Sequence, residues 1–213
     1  MDQYHGRLQK FSLSGRFLAS ALGVDTGGHF LVYFSGIALD HYNNLWVSDQ
    51  GNHQINKFDR FLQYVDSWGE KGEGDYHFES PRGIAIYRHY GQVFVAEKNS
   101  TQYLWIGSDI KDIRISKAHG SKGQPLMRVD YRLTESATVD CWIEREEEPH
   151  VKLGILMSEK KISQGPRSLF WDGITSAGSV ANPGAYQIVF QAEASYSSAT
   201  YFKKETRKKF WVK

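Results

Sequence analysis

Ile37-Ala38-Leu39-Asp40 returns 47 residues later as Ile84-Ala85-Ile86-Tyr87, and Ser35-Gly36 ahead of the first copy returns as Arg82-Gly83. Leu45-Trp46-Val47-Ser48-Asp49 is matched by Val93-Phe94-Val95-Ala96-Glu97, one residue further out, because His89-Tyr90-Gly91 lengthens the intervening turn. Asn52-His53 then matches Asn99-Ser100 at the original spacing, and Gln54-Ile55-Asn56-Lys57-Phe58 matches Arg7-Leu8-Gln9-Lys10-Phe11 upstream. Such a repeat constrains the fold more than composition does, since a unit this small cannot bury its own faces and must stack on copies of itself. The chain carries the end of one unit, a complete second unit and the first half of a third.

In the complete unit, alternating apolar residues predict strands near 36-40, 44-48, 54-58 and 62-67. Asn43-Asn44, Gln50-Gly51-Asn52 and Asp59-Arg60 fall between them, and these are residue types that ease turn geometry. Four short strands at this period describe a blade of a β-propeller. The motif running from Ser35-Gly36-Ile37-Ala38 through Asn44-Leu45-Trp46-Val47-Ser48-Asp49 and Asn52-His53-Gln54-Ile55 to Trp68-Gly69 resembles the NHL repeat family, over about residues 4-107. It fades after Asn99, where Tyr103-Leu104-Trp105-Ile106 holds the third strand and no fourth follows. Residues 1-108 therefore read as a partial NHL-type propeller of about two and a half blades. NHL propellers usually close with about six blades, so the expectation is that further blades lie upstream or that the open edge pairs with another chain, including a second copy.

The pattern changes at Gly107-Ser108-Asp109. Strands are expected at 112-116, 127-133, 137-144, 151-157, 168-171, 185-191 and 205-212, and seven short strands with polar turns fit a sandwich of two packed sheets. Within Trp171 to Tyr186, Asp172-Gly173 suits a tight turn, Gly178 a positive φ, and Pro183-Gly184 the centre of a type II turn. Tyr186, Ile188 and Phe190 should then share one face. This spacing, with Tyr131-Arg132-Leu133-Thr134-Glu135-Ser136-Ala137, resembles the immunoglobulin-like domain of the flagellar hook-capping protein FlgD, over about residues 109-213. The fold class is thus all-β: a partial propeller, then an immunoglobulin-like sandwich. The resemblance implies a folding and assembly module found at the ends of large exported bacterial proteins. Glu144 to His150 departs from its usual short hairpin and reads as a solvated acidic loop.

Charge and chemistry point the same way. Residues 1-108 hold 9 Lys/Arg against 11 Asp/Glu, and residues 109-213 hold 17 against 13, much of the excess lying between Lys203 and Lys213. A final strand with solvated charges explains that run. Cys141 is the only cysteine, and its alternation with Val139 and Ile143 makes it a small buried hydrophobe, so no internal disulfide forms. No apolar run is long enough for a transmembrane segment, and Met1 to Arg7 shows no secretion signal. The expected location is nonetheless extracellular, cell-surface or periplasmic, from the exported bacterial context of the resemblance.

NHL-type propellers include peptide-amidating lyases, whose resemblance implies histidines from several blades around a metal. Here His53 is the best placed, in the turn between second and third strands, but its counterpart is Ser100 and the first unit has Gly6 beside His5. The other histidines, His29, His41, His77, His89, His119 and His150, are scattered. Asp40, Asp49 and Asp59 recur at turns, where accepting backbone N–H bonds accounts for them. Some NHL propellers bind RNA on a basic aromatic face, and Lys57, Arg60, Lys98, Tyr64 and Tyr103 could contribute, but the net negative charge of residues 1-108 argues against it. The reading is therefore a non-enzymatic structural or protein-interaction module with no catalytic, cofactor-binding or metal-binding residues. Its partner is a protein or glycan, and its rim contacts are His53, Trp46, Trp68 and Tyr76.

Overall fold

The computed structural model describes residues 1–2, 5–22, 33–119, 125–196 and 203–212. Tyr4, His29 and Lys213 lie outside the described residues. Every regular element described is a strand, and the chain divides into two compact units, Met1–Ile106 and Gly107–Lys213. No helix among the described residues is long and apolar enough to cross a membrane.

In the first unit, β1 (Arg7–Phe11) pairs with β2 (Phe17–Leu22). A four-stranded blade follows in the order β3 (Phe34–Leu39), β4 (Leu45–Asp49), β5 (Gln54–Phe58), β6 (Tyr64–Trp68). A short parallel pair, β7 (Glu70–Lys71) with β8 (His77–Phe78), leads to the next blade. That blade has three antiparallel strands, β9 (Gly83–Tyr87), β10 (Gln92–Ala96) and β11 (Thr101–Trp105). Antiparallel neighbours joined by short turns are what the repeat demands, and Asn43 takes its turn with a φ of 62°.

The three turn carboxylates act as the spacing suggested. Asp40 accepts from the N–H groups of Tyr42 and Asn44, Asp49 from those of Gly51 and Asn52, and Asp59 from those of Phe61 and Gln63. One register differs from the sequence match. Asp49 pairs with Gln54 across a loop of residues 50–53, whereas the Glu97 N–H bonds the Ser100 carbonyl across residues 98–99 alone. Ser100 therefore answers Gln54, and His53 has no counterpart in the following blade.

The second unit is a sandwich. One sheet runs β12 (Ile110–His119), β13 (Pro125–Leu133), β16 (Gly165–Trp171). The other runs β15 (Gly154–Ile162), β14 (Ala137–Arg145), β17 (Gly184–Ala194), β18 (Lys203–Val212). Alternation sends Val129, Tyr131 and Leu133 inward from one sheet and Val139, Cys141, Ile143, Ile188, Phe190 and Ala192 inward from the other. Burial pushes the Cys141 thiol well up, which suits an inert packing group. Gly173 and Gly178 both adopt a φ of 78° in the hairpin closed by Ile174 and Val180. Pro183-Gly184 does not form the type II turn its sequence suits, since Gly184 has a φ of 157° and already pairs with Val212 as the first residue of β17.

Tyr186 closes that corner. Its ring is 1% exposed, and its hydroxyl donates to the carbonyl of Asn182 at 2.8 Å. This is the tyrosine corner of immunoglobulin-like sandwiches, a tyrosine at the start of a strand pinning the loop that enters it. Tyr186→Phe keeps the packing and leaves the Asn182 carbonyl without its donor, so unfolding in urea should show the sandwich weakened by about 1 kcal/mol.

The acidic run is not simply solvated. Glu144 has 0% exposure on the outer face of β14, where it accepts from Trp142 Nε1 at 3.1 Å, the His150 N–H at 3.0 Å and Gln187 Nε2 at 2.7 Å, and pairs with Arg207. Lys152 Nζ lies 4.2 Å from the centre of the Trp142 ring. Burial alone would push this carboxyl up, but the hydrogen bonds from Trp142, His150 and Arg207 outweigh it and hold Glu144 below the usual carboxylate range. A depressed folded-state value stabilises the fold above the unfolded value of about 4.3, and this contribution is lost as pH falls through the folded value. The urea midpoint of the sandwich should accordingly drop below about pH 4, and Glu144→Gln should flatten the drop.

The basic end is the closing strand, and its lysines are exposed to solvent. Within β18, Lys203 pairs with Glu193, Lys204 with Asp109, Arg207 with Glu144 and Glu205, and Lys209 with Glu146. These lysines also line the free edge of the sheet, where charge discourages pairing with a foreign strand.

Candidate interaction surface

The proposed rim residues fall into different environments. Trp46 is 7% exposed and stacks on Trp68, with ring centres 4.9 Å apart and planes 9° from parallel. Its Nε1 donates to Asp40 Oδ2 at 3.0 Å. Lys57, 1% exposed, places its Nζ 5.1 Å from the centre of the Trp46 ring and 3.8 Å from Asp40. Trp46 therefore offers no contact surface, and Lys57 no ammonium for a phosphate; both complete the interior of the blade. Trp68 is half-buried beneath the stack.

His53 is held in place too. Its Nδ1 receives the Ser80 N–H at 3.1 Å and lies 3.1 Å from the Phe78 carbonyl. In either tautomer the ring ties the loop after β4 to the segment leading into the next blade. Among the described residues, no three His, Cys, Asp or Glu side chains cluster as metal ligands would. Tyr76 does face solvent, 55% exposed at a φ of 61°.

The larger exposed feature, which the sequence reading missed, is one whole face of the last blade. The two central strands of the middle blade are covered on both sides, so every residue of β4 after Leu45 and of β5 after Gln54 is buried. In β10 burial alternates instead: Val93 and Val95 are 2% and 0% exposed, while Phe94 between them is 46% exposed. Phe94 pairs with Ala85 and Tyr103, and Gln92 with Tyr87 and Trp105. Paired residues share a face, so Tyr87, Phe94, Tyr103 and Trp105 form one aromatic surface without a charged side chain on its strand positions.

Within that surface Tyr87, Phe94 and Tyr103 are 54%, 46% and 46% exposed. Phe94 and Tyr103 sit 4.9 Å apart, Tyr103 meets Trp105 edge-on at 5.6 Å, and Gln92 Nε2 donates to the Tyr103 hydroxyl at 2.6 Å. Tyr90, from the turn, packs on Tyr87 at 5.5 Å.

The corresponding face of the middle blade shows what normally covers it. Trp46 pairs with Ala38 and Lys57 just as Phe94 pairs with Ala85 and Tyr103. There, the next blade lies directly on top. Ser48 Oγ donates to the Arg82 carbonyl at 2.8 Å and Ser35 Oγ to that of Pro81 at 2.7 Å. Arg88 Nε reaches back to the Asp40 carbonyl at 2.9 Å, and a Cβ on Gly36 would come 3.2 Å from Gly83 Cα.

Two curated relatives match this chain. A probable peptidyl-alpha-hydroxyglycine alpha-amidating lyase of Caenorhabditis elegans is 38% identical over 79 residues, 35% of this chain and 22% of its own length. The protein brain tumor of Drosophila melanogaster is 32% identical over 72 residues, 34% of this chain and 7% of its own length. Both fit a propeller of the NHL-like kind, a fold that supports protein interaction. The chain spans under a quarter of either relative. No family model matches it. Among solved structures, PorZ, a surface component of the type-IX secretion system of Porphyromonas gingivalis, aligns over 85% of this chain and 23% of its own at 10% identity, with a TM-score of 0.36 that is too low to bear on function.

Proposed function

We propose that this chain is a non-enzymatic protein-interaction module of an exported or cell-surface bacterial protein, with a FlgD-like immunoglobulin-like sandwich as its folding and assembly partner. The observation that carries this reading is the uncharged aromatic face of the last blade, since exposed Tyr, Phe and Trp grouped on a rigid sheet are the usual anchors of protein contacts. His53, Asp40, Asp49 and Asp59, the groups best suited to chemistry, all make hydrogen bonds that hold turns or blade connections. The localisation rests on the resemblance of residues 109-213 to modules of exported proteins.

The test is capture from a bacterial cell-envelope fraction by the chain immobilised through its sandwich. A protein retained by the wild type and by Trp211→Ala, but lost with Phe94→Glu plus Tyr103→Glu, supports the reading. Equal retention by the double variant overturns it. A second reading, a propeller of the metal-dependent lyase kind, draws on the amidating-lyase relative, and the bonds of His53 at Nδ1 are of the sort that orient a ligand ring. Turnover of a peptidyl-α-hydroxyglycine with zinc supplied would establish that reading and end the non-enzymatic one.

A further inference from the structure

We infer that Asn99, in the turn between β10 and β11, is the acceptor for an N-linked glycan. The inference rests on the exported reading above, since the lipid-carried sugar donor is used on the outer side of a membrane.

Asn99-Ser100-Thr101 places a hydroxyl two residues after an asparagine, with no proline between them. Oligosaccharyltransferases select that pattern where it falls in a surface loop of a secreted protein. Glu97 adds the acidic residue, two places before the asparagine, that bacterial transferases also read. None of the other asparagines in the chain has Ser or Thr two residues on.

The structure leaves this one asparagine open. Elsewhere the turn asparagines spend their side chains on the fold: Asn43 Oδ1 accepts from Arg88 at 2.8 Å, and Asn44 and Asn52 donate to Asp40 and Asp49, each at 2.8 Å. Asn99 is exposed, and among the described residues no hydrogen bond holds its carboxamide. The cause is a change at the end of the preceding strand. Asp49 closes β4 and captures Asn52, whereas Glu97, its match in the repeat, turns its longer side chain to accept the Glu79 N–H. The loop is shorter as well. The Glu97 N–H bonds the Ser100 carbonyl at 2.9 Å, so Lys98 and Asn99 alone make the connection, with Ser100 and Thr101 exposed beside them.

The step is a substitution at the sugar, with this chain as acceptor and a transferase of the source cell as catalyst. Asn99 Nδ2 forms a bond to the anomeric carbon of an oligosaccharide carried on a polyprenyl diphosphate. The bond from that carbon to the diphosphate oxygen breaks, the polyprenyl diphosphate leaves with the electron pair, and the nitrogen gives up one proton. The attachment point lies beyond Ala96 and Thr101, which pair at one end of the last blade. Tyr87, Gln92 and Trp105 pair at the other end, about 13 Å away by the rise of a strand. A glycan on Asn99 is thus anchored clear of the aromatic surface.

The test is mass spectrometry with electron-transfer fragmentation on the full chain isolated from the cells that make it. Peptides spanning Asn99 should carry an oligosaccharide on that residue, absent from Asn99→Gln and Thr101→Ala and retained in Thr101→Ser. The two changes at Thr101 alter the same exposed side chain, so their contrast reads the acceptor pattern and not the fold. A chain recovered outside the cytoplasm with Asn99 bare, or a sugar mass that survives Asn99→Gln, overturns the inference and leaves the exported reading standing. A chain found only in the cytoplasm with Asn99 bare overturns both.

Discussion

Glu144→Ala should cost the sandwich about 3 kcal/mol, the low end of what breaking a buried ion pair costs. The substitution removes the acceptor for Trp142 Nε1, Gln187 Nε2 and the His150 N–H together, and buried donors left without partners carry their full desolvation penalty. Arg207 moderates the loss, because it is 28% exposed and keeps Glu205 at 2.7 Å. Urea unfolding followed by the accessibility of Cys141, buried in the sandwich, should place the variant's midpoint far below that of Glu147→Ala, which alters an exposed neighbour and should leave the midpoint unchanged. Equal midpoints would mean that Glu144 does not organise this face.

A comparable effect is expected in the propeller unit from Gly36→Ala. A Cβ at Gly36 would sit 2.5 Å from the Arg82 carbonyl oxygen and 2.9 Å from Ser48 Oγ. The serine can rotate away, but the carbonyl is backbone, so the blades must part, at a cost of about 2–3 kcal/mol by analogy with overpacked cores. Gly83 is the same residue of the repeat one blade later, and there the new Cβ would meet only Ala96 Cβ at an ordinary 3.6 Å. Gly83→Ala should be neutral or stabilising by up to about 0.5 kcal/mol, through the loss of unfolded-chain freedom. Neither glycine has a positive φ, so the contrast measures the blade above Gly36 and nothing else. Thermal unfolding of both variants reads it directly.

Much of this architecture was legible in the residues. The turn-bearing Asp40, Asp49 and Asp59, the period between Ser35-Gly36 and Arg82-Gly83, and the alternation around Cys141 are local signals, and local signals fix strands and faces. The register of β11 was not legible, because matching Asn52-His53 to Asn99-Ser100 conceals a hairpin loop shortened to residues 98–99. The burial of Glu144 was hidden in an acidic run, since its partners Gln187 and Arg207 come from strands far along the chain. The candidate surface was missed for a related reason. Trp46 and Phe94 occupy equivalent places with equivalent neighbours in sequence, and only the presence of a further blade separates a buried residue from an exposed one. Sequence spacing singled out Trp46, which the fold conceals, and passed over Phe94, which it displays.

Cys141, the chain's only thiol, is sealed between the sheets at 0% exposure. A thiol-specific label can therefore react only when the sandwich opens, and no cysteine in the propeller unit competes for it. The chain carries its own clock: the rate at which a maleimide appears on Cys141 counts the openings of one unit while the other stays silent, with no engineered probe in either.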